Sequence, residues 1–135
     1  KEDGATFHKD LKGLLNVSDV LSVCCPATKE TTNLINKETL EYLPPGAVVT
    51  NVARGDIVND EALIEALNSR KVYAVGLDVY KGEPNLNPGY LKHKSAFILP
   101  HLGSASKHTR TAMANLAIDN IDEFFRTGSS KNKVN

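Results

Sequence analysis

The chain has 135 residues, which is enough for one domain with a buried core. Its 16 basic and 16 acidic residues cancel, so no net charge attracts nucleic acid or an anionic membrane surface. No apolar run approaches the roughly 20 residues needed to cross a bilayer. We therefore expect neither a nucleic-acid partner nor a membrane partner.

The two cysteines, Cys24 and Cys25, are neighbours in a strand-like run. Side chains of adjacent strand residues point to opposite faces of a sheet, which disfavours a disulfide between them. We therefore expect two free, buried thiols and a cytoplasmic location, where thiols stay reduced.

The first part of the chain predicts three short helices and one strand. Leucines on one face indicate one or two helical turns over 10–16, and an apolar run predicts a strand over 20–25. A helix carrying Leu34 and Ile35 is expected next, followed by a short helix over 37–43.

The stretch 47–56 is central to the interpretation of this sequence. Its short β-branched apolar run follows a Pro-Pro-Gly turn, a pattern typical of a buried strand. The run ends at Arg54 and Gly55, so a cation and a flexible residue lie together at the end of a strand.

After this strand, Asn59 or Asp60 can cap a helix over 61–70. The nearly continuous apolar run 72–79 predicts a strand covered on both faces, and the Pro-, Gly- and Asn-rich segment 82–90 predicts a loop.

A fourth strand is expected over 96–99, and Ser104 can cap a long helix over 105–127 that stops at Gly128. Six apolar residues of this helix are expected to face inward: Met113, Leu116, Ala117, Ile121, Phe124 and Phe125. Strands and helices alternate, which predicts an α/β fold with a parallel, Rossmann-like sheet and flanking helices.

Ionisable residues follow three of the predicted strands, and the carboxyl ends of parallel strands open into one ligand-binding crevice. Arg54 is placed to grip a planar carboxylate, although it could also be a surface arginine. His101 suits proton transfer near neutral pH, and a carboxylate such as Glu83 could orient its ring. Taken singly, His101 and Glu83 are each more typical of ordinary loop residues.

Asp78 lies inside an apolar run, and a buried carboxylate needs a partner, either a ligand amide or a backbone donor. Gly103 and Ser104 offer amides at a helix start, for an anion, a cofactor edge or ordinary capping. A cation, an imidazole and a carboxylate together suit the interconversion of 2-keto and 2-hydroxy acids. That reaction also needs a hydride carrier, because no side chain supplies hydride.

Five ordered motifs resemble the D-isomer-specific 2-hydroxyacid dehydrogenases. They are Cys25-Pro26-Ala27-Thr28, Asn51-Val52-Ala53-Arg54-Gly55, Gly76-Leu77-Asp78-Val79-Tyr80, Gly82-Glu83-Pro84 and Pro100-His101-Leu102-Gly103-Ser104-Ala105. The run 83–88 is most similar to the glyoxylate/hydroxypyruvate reductase branch.

The resemblance implies a role for each matching residue. Arg54 would hold the substrate carboxylate, His101 would donate the proton with Glu83 behind it, and Asp78 would anchor the nicotinamide carboxamide. The residues implied to approach the cofactor are Cys25, Pro26, Val52, Ala53, Arg54, Asp78, His101, Gly103 and Ser104. The resemblance also implies NAD or NADP, a small 2-keto or 2-hydroxy acid substrate and a homodimer, with no metal.

The chain departs from the family pattern because the Gly-rich fingerprint GxGxxG of the first βαβ unit is absent. We therefore expect residues 1–127 to be the C-terminal part of an NAD(P)-binding domain, and 128–135 to return toward a substrate domain. The strand over 20–25 should have an open edge, and this chain alone should show little or no turnover. His8, His93 and His108 match no motif and are expected at the surface.

Two other functions fit parts of the pattern. A degenerate dehydrogenase half could serve as a non-catalytic dimerisation or regulatory module, although such a module would not need Arg54, Glu83 and His101 together. Formate or phosphite oxidation in the same superfamily is disfavoured by Glu83, because formate oxidation needs no proton-donating His–Glu pair.

Overall fold

The computed structural model describes residues 4–134. Residues 1–3 of the predicted segment 1–127 and residue 135 of the predicted segment 128–135 lie outside the described residues. The chain forms two compact units, Lys1–Pro100 and His101–Asn135. The first unit contains a four-stranded parallel sheet whose strands are adjacent in chain order. The strands are β1 Val20–Val23, β2 Ala47–Asn51, β3 Val72–Leu77 and β4 Ala96–Ile98. The predicted α/β class with a parallel sheet is therefore confirmed.

Three α-helices accompany the sheet: α1 Leu11–Leu15, α2 Lys37–Glu41 and α3 Asp60–Asn68. Each begins at a side chain that accepts a bond from a free backbone amide of the first turn. The caps are Asp10 for α1, Asn36 for α2 and Asn59 for α3. Two single 3₁₀ turns, Gly55–Ile57 and Tyr90–Lys92, lie in the loops.

The helix expected around Leu34 and Ile35 is wrong. Ile35 instead forms an isolated parallel bridge with Val58, in which its N–H donates to the Ile57 carbonyl at 3.0 Å. The bridge leaves Ile35 only 2% exposed. A pair of apolar residues is too short to distinguish a helix from an extended segment, and here burial against a neighbouring loop favours the extended form.

The core of the first unit contains the inward faces of the strands and helices, including Val49 and Leu63, both fully buried. At the sheet edge, β1 pairs with β2, and Val20 of β1 stays 63% exposed. Among the described strands the predicted open edge of β1 is thus confirmed.

The second unit contains α4, Lys107–Thr127. Ser106 and not Ser104 caps it, because the Ser106 hydroxyl accepts the Thr109 amide at 3.1 Å. Gly128 ends α4 with a φ of 76°, a left-handed conformation that suits glycine, as predicted.

The expected burial of six apolar residues of α4 is wrong, since no residue of this helix is buried. The reason lies in the unit itself. The described residues 101–134 contain no second helix or strand against which α4 could bury that face.

Across residues 4–134, none of the helices combines the length and the apolar character that crossing a bilayer requires. Nor do the described residues contain a cluster of three or more His, Cys, Asp or Glu suited to a metal ion.

One buried polar pair links α3 to the loop after β3. The Tyr90 hydroxyl donates to the Asp60 carboxylate at 2.9 Å, and the two residues are 1% and 5% exposed. Burial raises the pKa of Asp60, which Glu61 raises further, while the bond from Tyr90 and the charge of Lys81 oppose the shift. Burial also raises the pKa of Tyr90.

We expect Tyr90→Phe to lower the free energy of unfolding by about 2 kcal/mol near neutral pH, because it leaves a buried carboxylate without its donor. A raised pKa means that the folded state binds the proton more tightly, so the cost of the charged carboxylate is absent at low pH and appears as pH rises. The loss should therefore be smaller at about pH 4 than at about pH 7 in urea unfolding. Tyr73→Phe, at a residue 71% exposed on β3, is the control and should show no pH-dependent loss. A loss that grows toward acid would contradict the assignment.

Candidate functional site

A cavity of about 540 Å³ opens between the loops that follow β1 and β2. Its lining residues are Cys24, Cys25, Pro26, Ala27, Val52, Ala53 and Arg54. Parallel pairing aligns Val23 with Asn51, so the two loops leave the sheet side by side at its carboxyl edge. Five of the residues predicted to approach a cofactor, at 25, 26, 52, 53 and 54, thus lie around one cavity. Both cysteines are free thiols, as expected, but the expected burial is wrong: Cys24 is exposed and Cys25 half-buried, because β1 ends at Val23 and both lie in the loop after it.

Asn51, which sequence reasoning did not identify as a site residue, shapes the turn that carries Arg54. Its side chain is 1% exposed, donates to the Arg54 carbonyl at 2.9 Å and accepts the Ala53 amide at 3.0 Å. These bonds stand in for backbone pairing where the strand ends. One feature of the sequence could have identified this residue, because an asparagine at the end of a mainly apolar strand needs hydrogen-bond partners when it is buried.

Arg54 is exposed and its Nη1 donates to the Ala53 carbonyl at 2.6 Å. That bond uses one of the five N–H groups of a guanidinium, whose planar fork matches a carboxylate. The arrangement holds a cation on the rim of the cavity.

Gly55 brings the loop after β2 against the loop after β3. A Cβ at this position would overlap the Tyr80 carbonyl group and the Lys81 nitrogen. Asp78 continues the sheet register beside this contact, because its N–H donates to the Asn51 carbonyl at 3.0 Å. Asp78 is 9% exposed, so the carboxylate predicted to be buried is buried.

Glu83 lies on the same loop as Asp78 and is exposed. Its Oε1 accepts the Tyr80 amide at 3.1 Å, which closes a short turn over 80–83. The Glu83–Pro84 peptide bond is cis, and Gly82 has a φ of 74°. Arg54, Asp78 and Glu83 are therefore carried by two loops in direct backbone contact.

His101, Gly103 and Ser104 belong to the second unit and are exposed. His101 has a φ of 56°, a left-handed conformation uncommon for a residue with a side chain. Such conformations concentrate at functional sites. Because His101 lies in the second unit, its convergence with Arg54 and Glu83 in one cleft stays a prediction.

Of the histidines expected at the surface, His108 is exposed, whereas His8 and His93 are half-buried. The Nε2 atom of His93 is buried and has no hydrogen-bond partner among the described residues. His8 and His93 therefore lie only partly at the surface.

Comparison with known proteins gives one consistent family. Residues 1–103 match the domain described as "D-isomer specific 2-hydroxyacid dehydrogenase, NAD binding domain". The chain is 46% identical to the glycerate dehydrogenase of Hyphomicrobium methylovorum over 121 residues, which cover 90% of this chain and 38% of that protein. It is 37% identical to the glyoxylate reductase of Thermococcus litoralis over 135 residues, covering 100% of this chain and 41% of that protein.

A solved structure agrees with these relatives. The NADPH-dependent glyoxylate/hydroxypyruvate reductase of Sinorhizobium meliloti, in complex with NADP and malonate, superposes with a TM-score of 0.90 at 38% identity. The match covers 95% of this chain and 40% of that one, so the chain spans about two fifths of the length of the proteins it resembles. The chain belongs to the D-isomer specific 2-hydroxyacid dehydrogenase family, within its NAD binding domain.

Proposed function

We propose that the complete protein transfers hydride between NAD or NADP and a small 2-keto or 2-hydroxy acid, such as glyoxylate or hydroxypyruvate. The observation that carries the proposal is the cavity of about 540 Å³ at the carboxyl ends of β1 and β2, with Arg54 on its rim. Ligands of open α/β sheets bind at this edge. The names of the relatives, glycerate dehydrogenase and glyoxylate reductase, support this class of substrate.

The cavity residues fit one part of a dinucleotide. Cys25, Pro26, Val52 and Ala53 offer small, mainly apolar surfaces against which a flat ring system can pack. Asp78 would accept a bond from the carboxamide of the nicotinamide, with Gly103 and Ser104 beside the cofactor. The bound nicotinamide supplies or accepts the hydride.

The remaining chemistry belongs to three side chains. Arg54 binds the substrate carboxylate through two parallel N–H bonds and fixes the orientation of the keto group. His101 holds the proton that passes to the carbonyl oxygen, so hydride and proton together convert a 2-keto acid to a 2-hydroxy acid. Glu83 orients the imidazole through a hydrogen bond to its ring. We further propose a cytoplasmic homodimer, which the free thiols and the family resemblance support.

The test is steady-state reduction of glyoxylate and hydroxypyruvate by the complete protein with NADH and with NADPH. His101→Ala should lose about 100-fold or more in kcat while the Kd of the reduced cofactor changes little, because general acid catalysis contributes on that scale. Unchanged activity in His101→Ala would remove this residue from the mechanism. If the parent protein binds the cofactor without turnover, the result would favour a non-catalytic dimerisation or regulatory module. If it oxidises formate, the result would favour the hypothesis of formate oxidation.

A further inference from the structure

The loop between β3 and the 3₁₀ turn at Tyr90 carries Glu83, and its near end is fixed against the sheet. Asp78 donates its N–H to the Asn51 carbonyl at 3.0 Å. Directly after it, the Tyr80 backbone lies so close to Gly55 that no side chain fits between them. Val79, between these two contacts, is 1% exposed.

The far end of the loop is fixed to α3. Tyr90 is 1% exposed, and its hydroxyl donates to Asp60 Oδ1 at 2.9 Å. Asp60 is the first residue of α3 and is 5% exposed. Gly89 lies against the same helix, since a Cβ at Gly89 would be 2.6 Å from Ile64 Cδ1.

The segment between these two ends has little burial of its own, because every residue from 81 to 85 is exposed. Two hydrogen bonds within it are local, from the Tyr80 amide to Glu83 Oε1 at 3.1 Å and from the Asn85 amide to the Gly82 carbonyl at 3.0 Å. Asp60 also attracts Lys81 at the start of the segment. The two fixed ends therefore limit where this exposed segment can lie on the molecule.

We propose that Tyr90 and Asp60 are positioning residues, whose buried hydrogen bond holds the loop after β3 so that the Glu83 carboxylate keeps its place. Neither residue lines the cavity between the loops after β1 and β2. They act through Glu83, and the catalytic consequence rests on the proposed function. Phenylalanine at 90 fills nearly the same space as tyrosine, so Tyr90→Phe removes the bond and little else.

The experiment uses the complete protein. In Tyr90→Phe, hydrogen exchange followed by mass spectrometry should show exchange in the peptide covering 79–90 accelerated by more than exchange in β2, which reports the general loss of stability. The kcat for glyoxylate reduction should fall roughly 10-fold, with KM within about two-fold, because misplacing a catalytic group lowers the rate more than ground-state binding. In the double variant Tyr90→Phe, Glu83→Gln, kcat should equal that of Glu83→Gln alone, because a residue that acts through Glu83 has no effect without it.

Two controls separate positioning from general destabilisation. Asp60→Asn keeps an acceptor for the Tyr90 hydroxyl and should retain kcat within about two-fold, whereas Asp60→Ala should repeat the loss of Tyr90→Phe. Leu15→Ala makes a cavity in the core at α1, where Leu15 is fully buried, and should destabilise the fold without changing kcat or exchange at 79–90 while the protein stays folded.

Unchanged exchange at 79–90 in Tyr90→Phe would overturn the proposal whatever the activity. Faster exchange with an unchanged kcat, or additive losses in the double variant, would overturn the link to Glu83. A parent protein with no turnover would reject the proposed function instead, and the exchange measurement would still decide whether Tyr90 and Asp60 hold the loop.

Discussion

Replacing Arg54 by lysine is expected to lower kcat/KM for 2-keto acid reduction by about 100-fold, which corresponds to about 3 kcal/mol of lost transition-state binding. Lysine keeps the positive charge but loses the planar fork that binds a carboxylate through two parallel bonds. It also loses the bond from Nη1 to the Ala53 carbonyl that fixes the guanidinium at the cavity rim. The measurement is steady-state kinetics of the complete protein with glyoxylate.

The control for this variant is Arg70→Lys. Arg70 is an exposed arginine that precedes the amino end of β3, whereas Asp78 follows the carboxyl end of that strand, so its replacement should leave kcat/KM unchanged. The Kd of the reduced cofactor should stay within about three-fold in Arg54→Lys, because the cavity wall is otherwise intact. A kcat/KM within two-fold of the parent would show that Arg54 does not bind the substrate carboxylate.

A second large effect is expected for Gly55→Ala, which should lower the free energy of unfolding by about 3 kcal/mol. The added methyl group would overlap backbone atoms of Tyr80 and Lys81, and backbone cannot rotate away as the end of a long side chain can. The two loops must therefore separate, which moves Arg54 relative to Asp78 and Glu83. We expect catalytic activity to fall together with stability, as measured by urea unfolding and by glyoxylate reduction.

Gly76→Ala is the matched control, because Gly76 lies in β3 and has only a side chain beside it. A Cβ there would be 3.4 Å from Thr50 Cγ2, which is ordinary contact. We expect a change within about 1 kcal/mol, since alanine also reduces the conformational freedom of the unfolded chain. Equal losses in the two variants would show that the close approach of the loops at Gly55 is not the cause.

Elements with a long or unambiguous local pattern could be predicted from the sequence. The strand predicted over 72–79 corresponds to β3, and α3 is capped by Asn59, one of the two residues predicted to cap it. Where two patterns were equally local, the prediction was wrong. Ser104 and Ser106 are equally good caps by residue type, and only the Ser106 hydroxyl lies at the Thr109 amide.

The chemical types of the site residues were readable from the chain because each predicted strand ends in a distinct group. The order of parallel strands places these ends at one edge, and five of the residues do surround one cavity. By contrast, the buried side-chain bonds of Asn51 and the pairing of Tyr90 with Asp60 join groups that no local pattern relates. Asp60 and Tyr90 are 30 positions apart, so only the folded chain brings them together.

The sequence by itself determined the fold class, the strand ends and the kinds of side chain delivered there, because hydrophobic periodicity and turn residues act within a few positions of one another. Tertiary structure alone decided which loops touch at Gly55, which polar groups are buried and that no residue of α4 is buried. Periodicity shows that a helix has an apolar face. Whether another element covers that face depends on packing between distant parts of the chain.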